Sequence, residues 1–354
     1  MKIVFRVLAT IVIVVLAMLI YALARSKVDP VVWTPGPNPG LTGQFAPNDA
    51  IGSATMLLQG VGVGPEDIAP GPDGWMYTGY RDGRIVRFNA EGRHEEFAVT
   101  GGFPLGMRVD SDNKLIVADA DKGLLSISQN GDIHVLADKV DGVPMKFVEA
   151  VEIAADGTIW FTDASTRFTH HSGMYMFLEG RATGRLLSFS PDTEQVKIHL
   201  DDLAWANGVT VAPGDEFVLV AETSGTRVRR LWLKGDKAGT DDFFIDGLPG
   251  APDNLSVDDR GTFWVGIAGI RDPAFEKLAD KPFIRRLMGA MPISALTPDR
   301  SHAFILGLDG EGNVIHNLQQ PQSVFGVTTG AMRLGDRLYI TNLETDAVGV
   351  LELP

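Results

Sequence analysis

Oxygen-bearing side chains recur at one offset from successive turns of this sequence. Counting back eight residues from the turn residues at positions 74, 113, 157, 215 and 261 gives Glu66, Leu105, Glu149, Asn207 and Asp253, and Asn254 follows the last of them. Each polar residue alone is readily explained as a strand-end group bonded to backbone, but the shared offset favours a joint site. Three carboxylates and two amide oxygens suit Ca²⁺, which takes about six to eight oxygen ligands. We therefore predict that Glu66, Glu149, Asn207, Asp253 and Asn254 bind Ca²⁺ or another divalent cation.

The elements that must position these residues repeat six times. A turn followed by a short run of β-branched and aromatic residues recurs beyond residue 50, and each unit carries four candidate strands. The runs are WMYTGY (75–80), KLIVADA (114–120), TIWFTDA (158–164), FVLVAET (217–223), TFWVGIA (262–268) and RLYITNL (337–343). The pattern predicts an all-β fold, a six-bladed β-propeller over residues 51–354, with SATMLLQG (53–60) closing the ring. Because the innermost strands of a propeller converge on its axis, the predicted ligands should face one another there.

A second recurring set of acids ends the second strand of three units. Asp119, Asp163 and Glu222 occupy this position. We interpret them as structural groups that accept hydrogen bonds from loop amides between blades.

The amino-terminal segment predicts a membrane anchor. Residues 7–24 carry no charge over 18 positions, and as a helix they would span about 27 Å, close to the hydrocarbon thickness of a bilayer. We expect an uncleaved single-pass anchor over residues 1–27, with the amino terminus inside and the propeller on the extracytoplasmic side, in a periplasm, a lumen or the extracellular space. A cleaved signal peptide is the alternative, because Ala22-Leu23-Ala24 has the small-x-small form of a cleavage site. The Pro/Gly-rich residues 28–50 read as a linker.

Composition and missing motifs exclude several classes of function. The formal net charge of −14 argues against nucleic acid as a partner. The chain has no cysteine, so neither a thiolate metal site nor a cysteine nucleophile is available. No GxSxG sequence occurs, which argues against a serine hydrolase of the nucleophile-elbow type.

Motifs across the body resemble a known superfamily. They are PEDI (65–68), FPLGM (103–107), DGTIWFTDAS (156–165), GRLLSFSPDT (184–193), WANGV (205–209), FVLVAET (217–223), WLKG (232–235) and LPGAPDN (248–254). In this order they resemble the strictosidine synthase-like and gluconolactonase/paraoxonase superfamily of calcium-dependent six-bladed propellers, and among these the membrane-anchored, adipocyte plasma membrane-associated type.

The resemblance implies a metal site and an activity. It points to Glu66, position 149, Asn207 and Asp253 as Ca²⁺ ligands, with Asp253 as base or nucleophile in hydrolysis of lactones or aryl esters. The family reads FVND where this chain reads FVEA (147–150), so Glu149 replaces an amide and adds one negative charge. Condensation of an amine with an aldehyde is not expected, because the family uses a glutamate near the start of blade six and residues 323–335 contain no acidic residue.

Two insertions add candidate groups. The stretches 167–183 and 270–301 exceed the needs of a hairpin, and we expect them to form lids or membrane-facing loops. His170 and His171 lie in the first and are candidates for a proton shuttle at the channel mouth. The alternative to a hydrolase is a membrane-tethered binding or scaffold propeller whose ion is purely structural.

Overall fold

The protein consists mainly of β-strands, and its residues divide into two compact units. The computed structural model describes residues 2–296 and 301–353. The larger unit contains Gly36–His170, Ala182–Arg271 and Asp299–Pro354, and the smaller contains Met1–Pro35, His171–Arg181 and Asp272–Pro298.

The larger unit is a six-bladed β-propeller built from four-stranded antiparallel sheets, which confirms the predicted fold class. Blades 1 to 3 comprise β2 (Ala69–Pro70), β3 (Met76–Gly79), β4 (Arg84–Phe88) and β5 (His94–Val99); β6 (Pro104–Val109), β7 (Leu115–Asp119), β8 (Gly123–Ile127) and β9 (Ile133–Ala137); and β12 (Val148–Ile153), β13 (Ile159–Asp163), β14 (Gly184–Ser190) and β15 (Gln195–Leu203). A small hairpin of β10 (Lys139–Val140) and β11 (Val143–Pro144) precedes blade 3.

The remaining blades follow the same plan. They comprise β16 (Ala206–Val211), β17 (Phe217–Glu222), β18 (Arg227–Trp232) and β19 (Asp241–Ile245); β20 (Gly250–Val257), β21 (Phe263–Ile270), β22 (Ala303–Leu308) and β23 (Val314–Gln320); and β24 (Thr328–Leu334), β25 (Arg337–Asn342) and β26 (Val348–Glu352), completed by β1 (Thr55–Leu57). Strand β1 pairs antiparallel with β26, Thr55 opposite Val350, so the segment predicted to close the ring does so.

The core lies between blades, with one hydrophobic cluster for each neighbouring pair. Successive residues of a second strand point to opposite faces, and both faces are covered. In blade 3, Trp160 packs towards blade 4 and Phe161 towards blade 2. This two-sided burial explains why the six repeated runs are continuously apolar rather than alternating.

The acids that end the second strands bond to loop amides and arginines. Asp119 Oδ1 accepts hydrogen bonds from three backbone amides, and Asp163 accepts from the Phe147 amide and from Arg185. They take the structural role predicted for them.

The smaller unit contains the helices α1 (Lys2–Arg25), α2 (Tyr175–Glu179), α3 (Pro273–Glu276) and α4 (Pro282–Met288). No residue of α1 is buried, and its apolar window has a mean hydropathy of 3.0, so it is long and apolar enough to cross a membrane. The stretches predicted as insertions supply α2, α3 and α4. Residues 297–300 of the second insertion lie outside the described part of the chain.

The segment 28–50 contains only short 3₁₀ turns. Phe45 packs into the cluster between blades 4 and 5, and Arg271 donates to the carbonyl oxygens of Gly36 and Pro37. The boundaries of this segment as a linker stay a prediction.

Candidate metal centre

A β-bulge explains the shared offset of the predicted ligands. In each of blades 2 to 5 the register between the innermost strand and the next shifts at an equivalent position. The shift spans residues 105–106, 149–150, 207–208 and 253–254, respectively. A bulge places two residues opposite one and re-aims a side chain, and such bulges are common next to active sites. Counting back from each turn therefore reached the same distorted position in these four blades.

Close packing of these bulges brings neighbouring blades together. A Cβ on Gly208 would lie 2.4 Å from the Asp253 carbonyl oxygen, so only glycine fits beside Asn207 where blade 4 meets blade 5. A Cβ on Gly106 would likewise lie 2.7 Å from the Ala150 Cα atom. Innermost strands that approach this closely bring the side chains at their bulges to one region at the axis.

We use the name axial cluster for Glu66, Glu149, Asn207, Asp253 and Asn254. All five side chains are buried. Carboxylates come from alternate blades, namely 1, 3 and 5, and Asn207 comes from blade 4. Asn254 Nδ2 donates to Glu66 Oε1 at 2.8 Å and to the Glu66 carbonyl oxygen at 3.1 Å, which links blade 5 to blade 1.

The electrostatics of the cluster show that its carboxylates influence one another. Burial raises the pKa of Glu66 well above its usual range, and Asp253, Asp67 and Glu149 raise it further. Burial and then Asp253 raise the pKa of Glu149, while a hydrogen bond from Trp205 lowers it. Trp205 Nε1 lies 3.0 Å from Glu149 Oε2. Burial and mutual repulsion therefore disfavour the charged forms of these carboxyl groups unless a proton or a cation compensates them.

Within the described part of the chain, Glu66 Oε2 and Asn207 Oδ1 are buried oxygen atoms of the cluster that have no hydrogen-bond partner. Buried polar atoms nearly always have partners, and an unpartnered one calls for an explanation such as an ion. The donor set is all oxygen, as Ca²⁺ requires, so the residues fit a hard divalent cation.

Threonine hydroxyls, which sequence reasoning missed, hold the bulges in place. Thr162 Oγ1 of blade 3 donates to the Asn207 carbonyl oxygen at 2.7 Å, and Thr329 Oγ1 of blade 6 donates to that of Glu66 at 2.7 Å. Thr329 lies at the bulge of blade 6, where Thr328 pairs with Asn342 and Gly330 with Thr341. Counting back eight residues from the turn at Gly335 reaches Val327, two positions before Thr329, so the offset alone does not find it.

Arg108 is a second residue that the sequence did not reveal. Its guanidinium donates to Asp67 at 2.7 Å, to Glu152 at 3.0 Å and to the Leu255 carbonyl oxygen at 3.5 Å. These partners belong to blades 1, 3 and 5, so the side chain lies near the axis. The charge of Arg108 pairs with Asp67, which leaves the carboxylates of the axial cluster without this counterion.

His170 lies near the start of blades 2 and 3. Its Nε2 atom is 3.1 Å from Asp121 Oδ1, and its ring is 5.4 Å from that of Phe103 and 6.1 Å from that of Phe147. The Phe147 ring is in turn 6.3 Å from that of Trp205, the donor to Glu149. His170 is thus separated from Glu149 by aromatic side chains. His171 is exposed and belongs to the smaller unit, and its proton-shuttle role stays a prediction.

Comparison with known proteins shows the relatives of this chain. Sequence models of strictosidine synthase and of the strictosidine synthase-like amino-terminal region match residues 149–236 and 43–88. Adipocyte plasma membrane-associated protein of Rattus norvegicus is 35% identical over 288 residues, which cover 75% of this chain and 76% of the rat protein.

Solved structures support the fold. A gluconolactonase from Xanthomonas campestris has a TM-score of 0.62 at 17% identity and covers 92% of this chain and 97% of its own. A calcium-binding regucalcin from Agrobacterium tumefaciens has a TM-score of 0.57 at 16% identity, with coverage of 91% and 96%. On the sequence matches, this chain belongs to the strictosidine synthase-like family of six-bladed propellers.

Proposed function

We propose that this protein is a Ca²⁺-dependent hydrolase of lactones or aryl esters, with the axial cluster as its metal centre. The observation that carries the proposal is the pair of buried, unpartnered oxygen atoms, Glu66 Oε2 and Asn207 Oδ1, among carboxylates from alternate blades. A gluconolactonase and a calcium-binding regucalcin with the same fold support the substrate class and the ion.

Each residue of the cluster has a distinct role in this proposal. Glu66, Glu149, Asn207 and Asp253 hold the cation, and Asn254 orients Glu66 through its amide nitrogen. A bound Ca²⁺ supplies Lewis acidity towards a carbonyl oxygen. Asp253 orients and deprotonates water, the role implied by its family position.

The surroundings suit an uncharged substrate with an apolar part. Phe103 and Phe147 are buried beside His170, and Trp205 is half-buried next to Glu149. Aromatic rings at this end of the channel can pack against an aryl group or a lactone ring. His170 lies 3.1 Å from Asp121 and is separated from Glu149 by the rings of Phe147 and Trp205, so its role as a proton shuttle stays a prediction.

Hydrolysis of phenyl acetate and of γ- and δ-lactones tests the proposal, with added Ca²⁺ and with EDTA. We expect Asp253→Asn to reduce metal-dependent turnover by about 10²- to 10⁴-fold, the usual contribution of a general base. Asp112→Asn is the matched control, because Asp112 is an exposed acid on the turn between β6 and β7. The hydrolase proposal fails if the wild type shows no turnover above that of Asp253→Asn on any of these substrates.

A structural ion in a non-catalytic binding or scaffold propeller is the second candidate. It is favoured by the bonds from Asn254 and Thr329 to Glu66, which already join blades 5 and 6 to blade 1 at this point. A cation there would tie further blades together. Stabilisation by Ca²⁺ without turnover would support this candidate.

The proposal includes membrane attachment through α1, with the propeller on the extracytoplasmic side. The apolarity of α1 and the membrane-associated relative support an anchor. Because the chain has no cysteine, an Asp112→Cys variant tests the orientation in intact cells. A membrane-impermeant maleimide should label it without lysis, and labelling only after lysis would reverse the orientation.

A further inference from the structure

Helix α4 buries a charged residue and exposes two large apolar residues, unlike an ordinary surface helix. Arg285 is fully buried, whereas Phe283 and Ile284 are 53% and 41% exposed. Leu287, one turn after Phe283, is only half-buried. A helix that faces water normally buries its apolar residues and exposes its charges.

Hydrogen bonds from Arg285 fix this orientation. Its guanidinium donates to the carbonyl oxygens of Leu278 at 2.9 Å, Leu178 at 2.7 Å and Ala279 at 2.9 Å, and also to that of Val31. These four acceptors come from the amino-terminal segment and from both insertions. Since successive helical residues are about 100° apart, holding Arg285 inside turns Phe283 and Ile284 outwards.

The carboxyl end of α4 is attached directly to the end of α1. Lys27 lies two residues beyond the last residue of α1, and its amide donates to the Gly289 carbonyl oxygen at 3.1 Å. A Cβ on Gly289 would lie 2.3 Å from Val28 Cγ2, so the two segments are in close contact. The seven residues of α4 extend about 10 Å, which keeps Phe283 and Ile284 near the end of the apolar helix.

That distance corresponds to the interfacial layer of a bilayer. The headgroup regions add about 5 to 8 Å on each side of a hydrocarbon core of about 30 Å. An interfacial helix buries its apolar side by about 5 to 10 Å at the boundary of headgroups and acyl chains. Lys281, the residue before α4, and Arg286 within α4 are exposed next to its apolar residues, and cationic groups in this position attract lipid phosphates.

We infer that α4 lies in the interface of the same bilayer that α1 crosses, with Phe283 and Ile284 in the acyl boundary and Lys281 and Arg286 at the phosphates. The inference rests on the proposed membrane insertion of α1. It makes α4 a second membrane contact, which restrains how the smaller unit tilts and rotates on its anchor.

Single-site fluorescence tests this contact, because the chain has no cysteine to remove. Phe283→Cys and Ile284→Cys variants of the full chain are labelled with an environment-sensitive fluorophore and reconstituted into vesicles of zwitterionic and anionic phospholipid. Val135→Cys, at an exposed apolar position of β9, gives the reference for a label in water. Val15→Cys, within α1, reports insertion of the anchor itself. Thermal melts identify any labelled variant that is misfolded.

The expected result is blue-shifted emission at 283 and 284, with about twofold quenching by lipids that carry a spin label near the headgroup and less by lipids labelled deep in the acyl chain. Iodide accessibility equal to that of the 135 label would overturn the inference. So would protection from iodide without quenching by lipid, because protein would then cover the helix. Lipid quenching at 15 combined with either result means that the anchor inserts and only the α4 contact is wrong. No quenching at 15 overturns both, and neither outcome bears on the hydrolase assay.

Discussion

Glu222 and Glu66 are two buried glutamates of the propeller with opposite surroundings. Both oxygens of Glu222 are occupied, by Arg227, by Arg229 and by the Ala204 amide, at 2.8 to 3.0 Å. Glu66 Oε1 accepts from Asn254, whereas its Oε2 atom has no hydrogen-bond partner among residues 2–296 and 301–353, and the charged groups that shift its pKa are negative.

The difference teaches that burial of an acid does not identify a functional site. Glu222 is an anion whose charge is balanced inside the protein, so it holds strands β17 and β18 in place. Glu66 is a carboxyl group whose negative charge must be neutralised, either by a proton or by a cation that the chain does not supply. The comparison predicts that mutations at the two positions have opposite effects on stability.

The largest effect is expected for Glu222→Ala. Removing this carboxylate takes away the acceptor of the Nε atoms of Arg227 and Arg229, while Asp202 and Asp241 still accept from Arg229 Nη1. Breaking these buried pairs should reduce the free energy of unfolding by about 3 to 5 kcal/mol. Denaturation with guanidinium chloride measures the loss. The Ca²⁺ affinity of the variant that remains folded should equal that of the wild type, and a parallel loss of affinity would contradict the distinction between the two glutamates.

Removal of the metal should produce the next largest effect. At a Ca²⁺ concentration about 100 times the Kd, binding to the folded state alone adds about 2.7 kcal/mol to the free energy of unfolding. Thermal melts with Ca²⁺ and with EDTA give the difference. Glu66→Gln should abolish it and Asp112→Asn should retain it. A stabilisation that survives in Glu66→Gln would place the ion elsewhere.

In EDTA, the wild type should become less stable as pH rises above about 4.5. The raised pKa values of Glu66 and Glu149 mean that the folded state binds more protons than the unfolded state between 4.5 and the folded values, so the free energy of unfolding falls through that window. His199 acts in the opposite direction between about 4 and 6.5, because burial lowers its pKa to about 4.

Comparison of wild type with Glu66→Gln isolates the contribution of Glu66, since His199 is common to both. The variant should show a weaker decline in urea midpoint between pH 5 and pH 8 in EDTA and should be the more stable protein at pH 8. Equal pH dependence in the two proteins would show that Glu66 is not strained by its charged neighbours.

The smallest effect is expected for Glu149→Asn, which restores the amide implied by the family resemblance. The change removes one of the three carboxylates of the axial cluster. We expect about a tenfold weaker Kd for Ca²⁺, or about 1.4 kcal/mol, by isothermal titration calorimetry. Unchanged or tighter binding would show that Glu149 does not contribute its charge to the ion.

The sequence predicted the blades and the positions of the cluster because both depend on local repetition. Each second strand is apolar on both faces, and each bulge keeps a constant distance from its turn, so Glu149 and Asn207 could be aligned without a structure. Arg108 could not be predicted, since its partners on three blades are brought together only by closure of the ring. The burial of Arg285 could not be predicted either, because its acceptors are backbone carbonyls from segments far apart in the chain.

Strand β1 has a consequence for biosynthesis. The Thr55 hydroxyl donates to the carbonyl oxygen of Val350, 295 positions later, so β1 cannot pair until β26 has been synthesised. Pairings this distant in sequence form slowly, and the nascent propeller remains an open arc with exposed edges until β26 has been made. A stop codon that removes β26 would therefore leave the sixth blade incomplete and β1 without a pairing strand, and protease digestion should begin at that gap.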